Sequence, residues 1–277
     1  MSKWCRRASG IVMPRGYGDA GMRAGPRRHF SMLVNSHLSA VGGGPSLPVA
    51  GATLWVDCGV GLYESDDTSD PCEAGDFIRR WVDLSGEGND LLRTGTSAFN
   101  PSWDSATLHR GRNTVRFQAA GFQRLILPDM FDGLSAGEIF FTVKMLLDPP
   151  VNSNRAGFHS IIGDGASATH HPWTDSVCYD STLTTVRKTV GNLTPALTDW
   201  HVWSVRSAAG DWEAYHDNTS VHATGTNTFG APASTSNLGC NSVVDLFADM
   251  WVAELVFYPF TLDATQRTDT VDYLTNG

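Results

Sequence analysis

Residues 246–258 read LFADMWVAELVFY. Aromatic and β-branched side chains dominate this run, and no glycine or proline interrupts it, so it reads as the strongest strand of the chain. Working back toward the N-terminus, shorter runs of the same kind lie between turn clusters. Trp200–Arg206 (WHVWSVR) and Trp212–His216 (WEAYH) flank the turn Ser207-Ala208-Ala209-Gly210-Asp211, and Asp217-Asn218 leads into Ser220–Thr224. Earlier candidates are Thr53–Val56, Ile78–Leu84, Thr114–Phe117, Phe122–Leu127, Ile139–Leu147 (IFFTVKMLL) and His159–Ile162. Many short strands separated by turn signals predict an all-β sandwich or barrel. One helix follows: Thr261 or Asp263 offers an N-cap, and Leu262, Thr265, Val271 and Leu274 recur near helical spacing up to Asn276-Gly277.

The chain has 277 residues, of which 41% are hydrophobic and 18% charged, enough apolar material for a full core. No run approaches the roughly 18 apolar residues of a membrane span, and no apolar h-region follows the N-terminus, so neither a spanning helix nor a secretory signal is expected. The five cysteines are odd in number and contain no C-x-x-C pair, which favours reduced thiols over a zinc ribbon or disulfide framework.

Charge is segregated. Residues 1–30 carry Lys3, Arg6, Arg7, Arg15, Arg23, Arg27 and Arg28 against Asp19 alone, a net +6, whereas the remaining residues sum to -15. Residues 1–50 lack any sustained hydrophobic period and are rich in Gly, Pro, Arg and Ser, so they read as an extended basic arm and linker. The expected organisation is an arm over 1–50 and a folded body over 51–277. A basic arm on an acidic body implies a partner of its own, either an acidic protein surface or, less favoured, nucleic acid.

Three patches narrow the fold. Leu54-Trp55-Val56-Asp57 opens the body. Trp81-Val82-Asp83-Leu84-Ser85-Gly86-Glu87-Gly88-Asn89 follows, with Val115-Arg116-Phe117 after it. Asn237-Leu238-Gly239 and Ala253-Glu254 through Tyr258 close the series, ahead of the helix with Tyr273-Leu274. In this order they resemble the concanavalin A-like (laminin-G-like) domains, and more narrowly a branch found in bacteriophage structural proteins. The resemblance covers about 52–277 and implies an antiparallel jelly-roll β-sandwich. The residues agree with it physically. Gly86 and Gly88 suit positive φ at a sharp turn, Asp83, Ser85 and Asn89 can hydrogen-bond that turn, and Trp55 and Trp81 are large enough to fill the space between two sheets.

Catalytic patterns are missing. No E-x-D-x-x-E strand places paired carboxylates on one face, and there is no G-x-S-x-G elbow or Walker loop, so an enzyme is not expected. Glu254 reads as a structural hydrogen-bonding acid, with Tyr258 closing the same motif. His170-His171 makes a poor zinc pair because neighbours on a strand face opposite ways, and reads as part of a polar loop. His201, His216 and His222 read as surface histidines. No cofactor is expected, although Glu64, Asp66, Asp67 and Asp70 could supply oxygen ligands to calcium, as some laminin-G-like domains do. Exposed aromatics beside acids suit a sugar, and Trp103, Trp173, Asp175 and Tyr179 are the candidate glycan-binding residues.

Together these features suggest a non-enzymatic virion protein of decoration, head-fibre or spike type, assembled in the host cytoplasm and forming homo-oligomers. Its arm would dock on capsid or connector protein through Lys3, Arg6, Arg7, Arg15, Arg27 and Arg28, with Trp4 and Phe30 as apolar anchors. Its body would project and bind host glycans. A carbohydrate-binding adhesion module or tail receptor-binding protein is the alternative, and a glycoside hydrolase a weaker one.

Overall fold

The run at 246–258 becomes strand only from Met250 to Tyr258, where eight of nine residues are buried. The structure is a computed structural model that describes residues 46–93, 95–163, 169–232 and 236–277. The arm residues Lys3, Trp4, Arg6, Arg7, Arg15, Arg27, Arg28 and Phe30 lie outside the described residues.

In chain order the strands are β1 (Leu54–Asp57), β2 (Leu62–Tyr63), β3 (Arg80–Trp81), β4 (Leu91–Arg93) and β5 (Ser102–His109). Then come β6 (Arg112–Phe117), β7 (Leu125–Leu127), β8 (Ala136–Met145), β9 (Cys178–Asp180) and β10 (Lys188–Gly191). The last are β11 (His201–Ala208), β12 (Asp211–His216), β13 (Thr219–Thr224), β14 (Ser236–Leu238) and β15 (Met250–Tyr258), followed by α1 (Ala264–Asn276). One large sheet runs β13-β12-β11-β8-β15-β6-β5, with β1 also paired to β15. A second runs β14-β7-β4-β3-β2, and β9 and β10 form a separate ribbon. All pairings are antiparallel, giving the all-β sandwich with a C-terminal helix that the sequence predicts.

Between the sheets lies the main core, in which Ile139, Phe141 and Val143 of β8 meet Trp81, Leu91 and Leu125 of the smaller sheet. On the outer face of the large sheet, Phe140, Val256 and Tyr258 pack against Val271 and Leu274 of α1. Leu47 and Val49, which the sequence assigns to the linker, join this outer cluster.

Strand β15 carries a bulge: its register against β8 shifts between Val252 and Glu254. A one-residue insertion reverses the facing of everything beyond it. Met250 and Val252 therefore point between the sheets, as do Leu255 and Phe257, while Glu254 lies on the outer face. There Glu254 sits opposite Asp57 of β1 and accepts hydrogen bonds from Arg110 and Arg112. Arg112 also donates to both oxygens of Asp57, at 2.8 and 2.6 Å.

The turn after β3 is built around Asp83. Its Oδ1 accepts Trp55 N–H and Ser85 N–H, both at 2.9 Å. Its Oδ2 accepts Ser85 Oγ–H at 2.7 Å and Asn89 N–H at 3.0 Å. Gly86 and Gly88 adopt φ of 94° and 76°, in the left-handed region that glycine favours. Trp81 fills the space between the sheets and donates its Nε1–H to Asp57 O at 3.0 Å. Trp55 does not. It alternates with Leu54 and Val56, so it faces α1 and meets Tyr273 edge-on at 6.1 Å.

Two further expectations are corrected. His159–Ile162 is not a continuous strand but two isolated bridges, His159 to Leu238 and Ile162 to Thr182. Conversely Ser102–His109 (SWDSATLH) is a strand that its composition hides, because it is an edge with only His109 buried. The helix begins after Asp263, whose side chain accepts Gln266 N–H at 2.9 Å while Gln266 Oε1 accepts Asp263 N–H at 3.1 Å. This is a reciprocal capping box.

Candidate functional site

His170 and Tyr179 face each other across two backbone hydrogen bonds, His170 N–H to Tyr179 O at 2.8 Å and Tyr179 N–H to His170 O at 3.0 Å. The chain between them folds into a tight turn in which Trp173 N–H donates to Val177 O and Ser176 N–H to Trp173 O. Asp175 Oδ1 caps that turn by accepting Val177 N–H at 3.0 Å. Side chains alternate along both arms of this ribbon. His170 and Tyr179 stand on one side, and His171, Cys178 and Asp180 are buried on the other.

On the outward side His170, Trp173, Asp175, Tyr179 and Arg187 line an open pocket of about 270 Å³. The His170 ring packs 4.4 Å from that of Trp173. Tyr179 donates its hydroxyl hydrogen to Asp175 Oδ2 at 2.9 Å, and the Arg187 guanidinium lies 4.7 Å over the Tyr179 ring. The Val177 N–H and the Tyr179 hydroxyl together hold the Asp175 carboxyl below its usual range, so it is ionised at neutral pH. The same bond raises the Tyr179 hydroxyl, which stays protonated. His170 Nδ1 lies 2.8 Å from Ala156 O, and a carbonyl only accepts, so Nδ1 carries the proton and Nε2 is left as an acceptor. Burial lowers the His170 pKa and keeps the ring neutral.

On the inward side the buried histidines form a chain. His201 Nδ1 donates to Asp199 O at 2.9 Å, which leaves its Nε2 unprotonated. His171 Nε2 lies 3.0 Å from that atom and is therefore the donor. His171 Nδ1 is then the acceptor that faces Cys178 Sγ at 3.8 Å. His216 stacks on His201 with ring centroids 4.9 Å apart. Burial holds all three rings below the ordinary histidine range, with His201 at about 4.

Three of the four residues expected to bind sugar, Trp173, Asp175 and Tyr179, thus share one pocket. Trp103 lies elsewhere, on edge strand β5, where its Nε1–H donates to Cys58 O at 3.1 Å. Arg187 and His170 complete the pocket and were not among the sequence candidates. His170 was legible beside His171, but nothing local marks Arg187. His171, His201 and His216 are buried, at 1%, 3% and 4% exposure, rather than parts of a polar loop or the surface. The polar atoms of His171 and His201 are met by one another, by Cys178 and by Asp199 O, which is what lets these imidazoles enter a core.

Two of the four acids expected to hold calcium have other partners. Asp66 pairs with Arg93 at 2.7 Å and Arg79 at 3.8 Å, and Asp67 accepts Ser69 N–H at 3.0 Å. Among the described residues no group of three His, Cys, Asp or Glu side chains is arranged to hold a metal ion. No helix among them is long and apolar enough to cross a membrane.

The fold is similar to that of the binding domain of Paraclostridial mosquitocidal protein 1, at 13% identity and a TM-score of 0.55 over 82% of this chain and 53% of that one. It is similar to the botulinum neurotoxin serotype D ligand binding domain in complex with N-acetylneuraminic acid, at 10% identity and a TM-score of 0.54, over 80% and 50% of the two chains. A third similar structure is Trypanosoma rangeli sialidase bound to a difluorinated keto-deoxy-nononic acid, at 12% identity and a TM-score of 0.51, over 87% and 35%. At such identities the likeness establishes the β-sandwich fold. This chain spans about half the length of the first two and about a third of the sialidase. No protein-family profile and no curated protein sequence matches it.

Proposed function

We propose that the body is a glycan-binding module and that its site is the pocket of His170, Trp173, Asp175, Tyr179 and Arg187. The observation that carries this is the meeting of two half-buried aromatic rings with an exposed carboxylate and an exposed guanidinium in one depression. A pyranose has an apolar C–H face and a rim of hydroxyls. An aromatic face covers the first, while a carboxylate, a neutral imidazole nitrogen and a guanidinium serve the second. Two of the structurally similar proteins are named with bound sugars, which supports a glycan ligand here.

The acid count supports binding without cleavage. Most glycoside hydrolases use two carboxyl groups, one protonated, across the bond to be broken. The pocket has a single carboxylate, Asp175, and it is held ionised. Glu254, the strand-borne acid of the sequence motif, is fully buried in its arginine clamp.

Trp173→Ala is expected to weaken glycan binding by about tenfold or more while leaving the far-UV circular dichroism and thermal midpoint in place. Calorimetric titration of the full chain with the strongest ligand from a glycan array checks this. Unchanged affinity would remove the pocket from the binding role.

A virion location is the finer reading, and it rests on the charge contrast between residues 1–30 and the rest of the chain. In that setting the arm docks on an acidic capsid or connector surface and the body displays the pocket. Changing Arg6, Arg7, Arg27 and Arg28 to Glu is then expected to abolish incorporation into particles. Quantitative mass spectrometry of purified particles reads the outcome: undiminished incorporation would overturn docking through these arginines, and absence of the wild-type chain from particles would end the virion assignment.

A further inference from the structure

We propose that the sugar held in this pocket carries a carboxylate and that Arg187 is the residue that selects it. This rests on the glycan-binding reading of the pocket and adds the ligand's charge to it.

The case begins with how arginines are used in the rest of the body. Of the eleven arginines among the described residues, nine pair with an Asp or Glu side chain within 4 Å. Arg187 has no such partner among those residues, yet its guanidinium is not loose. It is laid over the face of Tyr179 at 4.7 Å. Stacking on an aromatic face leaves the in-plane N–H groups of a guanidinium free. Those donors match the two oxygens of a carboxylate in a paired, parallel arrangement that an ammonium or a neutral amide cannot reproduce.

The platform under Arg187 is itself fixed. Tyr179 is tied at its hydroxyl to Asp175 at 2.9 Å, and Asp175 is tied to Val177 N–H at 3.0 Å. Asp175, Tyr179 and Arg187 therefore form one connected series, with the negative group at one end and the positive group at the other. The ordering of a long side chain, which usually weakens an exposed ion pair, is partly met before the ligand arrives. A neutral sugar would leave the guanidinium with hydroxyl acceptors only. A sugar acid can set its carboxylate on Arg187, its hydroxyls on Asp175 and His170, and its apolar face on Trp173.

The surroundings sharpen the selection. Outside residues 1–30 the chain carries a net charge of -15, so an anionic ligand is repelled by most of its surface. An acid is favoured only where a cation is held ready, as Arg187 is over Tyr179.

The test is calorimetric titration of the full chain with paired probes: 3'-sialyllactose against lactose, and glucuronic acid against glucose. The first pair reads a carboxylate on a nine-carbon sugar acid, the second one on a hexose. At least one acidic probe is expected to bind about tenfold or more tighter than its neutral partner. Arg187→Gln should bring the two members of that pair to within about threefold, the acidic probe losing most of its advantage. Raising the salt concentration should weaken only the acidic probe. Arg187→Lys should recover less than half of the loss on a logarithmic scale, because the paired geometry is missing. Equal binding of acidic and neutral probes, or a preference that survives Arg187→Gln, would overturn the selection by Arg187 and leave the glycan-binding pocket standing. If none of the four probes binds and a glycan array is also blank, the glycan-binding reading itself falls.

Discussion

The stability of the body should fall more steeply with acid in the wild type than in a His159→Asn variant, by about 1.4 kcal/mol per pH unit between pH 6.5 and 4. His159 is completely buried, and its hydrogen bonds fix its protonation. Ile161 N–H donates to Nδ1 at 3.2 Å, so the ring proton is on Nε2, which lies 3.3 Å from Thr182 Oγ1. Phe141 stacks on the ring at 5.0 Å and Phe158 packs at 4.9 Å, and no carboxylate touches it. A second proton would break the Ile161 bond and place a charge among aromatic rings. Burial accordingly lowers its pKa to about 3. In the unfolded chain the same group titrates near 6.5.

The sign follows directly. Between pH 6.5 and 3 the unfolded chain holds a proton that the folded chain refuses. Stability is thus intact above pH 6.5 and is lost as the pH drops through that window. His201, at about 4, and His109, also at about 4, act in the same direction. Burial raises Glu138, Asp180 and Glu254 above the usual carboxylate range, and these groups act in the opposite direction. The difference between wild type and variant therefore isolates the histidine. Urea denaturation at half-unit pH intervals measures it, and parallel pH profiles would show that His159 does not resist protonation.

The second large effect is at the seat of the helix. Arg267→Leu is expected to cost about 3–5 kcal/mol at pH 7, whereas Glu138→Leu combined with Arg267→Leu should restore most of that loss. Glu138 of β8 and Arg267 of α1 are buried together, with Arg267 Nε donating to Glu138 Oε1 at 2.6 Å. Glu138 Oε2 also accepts Leu262 N–H at 2.8 Å, Arg267 Nη2 donates to Leu262 O at 2.9 Å, and the guanidinium covers Tyr215 at 4.4 Å. Removing the arginine alone strands a buried carboxylate among apolar groups. Removing both replaces a desolvated pair with hydrocarbon, which is usually far less costly. Urea denaturation of the two variants decides this. A single variant within about 1 kcal/mol of wild type would show that the pair does not hold the helix down.

Much of the pocket could be read because its parts lie close together in the chain. Trp173, Asp175 and Tyr179 fall within seven positions, and a short polar stretch rich in aromatics is a local signal. Arg187 was invisible because its role depends on the β9–β10 ribbon, which brings it over Tyr179. Trp103 carried the same local signal as Trp173 and proved to be an edge-strand residue bonded to Cys58 O. Composition cannot separate two tryptophans whose difference is the strand each lies on.

Features under short-range control were legible in the residues alone. Most of the strand-forming runs were legible, as was a helix start at Thr261 or Asp263, of which Asp263 is the cap. So was the Asp83–Asn89 turn, where Gly86 and Gly88 take positive φ. Each depends on residues a few positions apart, so a window of sequence contains the whole cause. Tertiary structure alone decided which face a side chain takes. The bulge at Ala253 turns Glu254 out of the core toward Arg112, and the sandwich gathers His171, His201 and His216 into its interior. Those outcomes depend on the pairing register of strands far apart in the chain. A shift of one residue reverses every facing along a strand while leaving its local sequence unchanged.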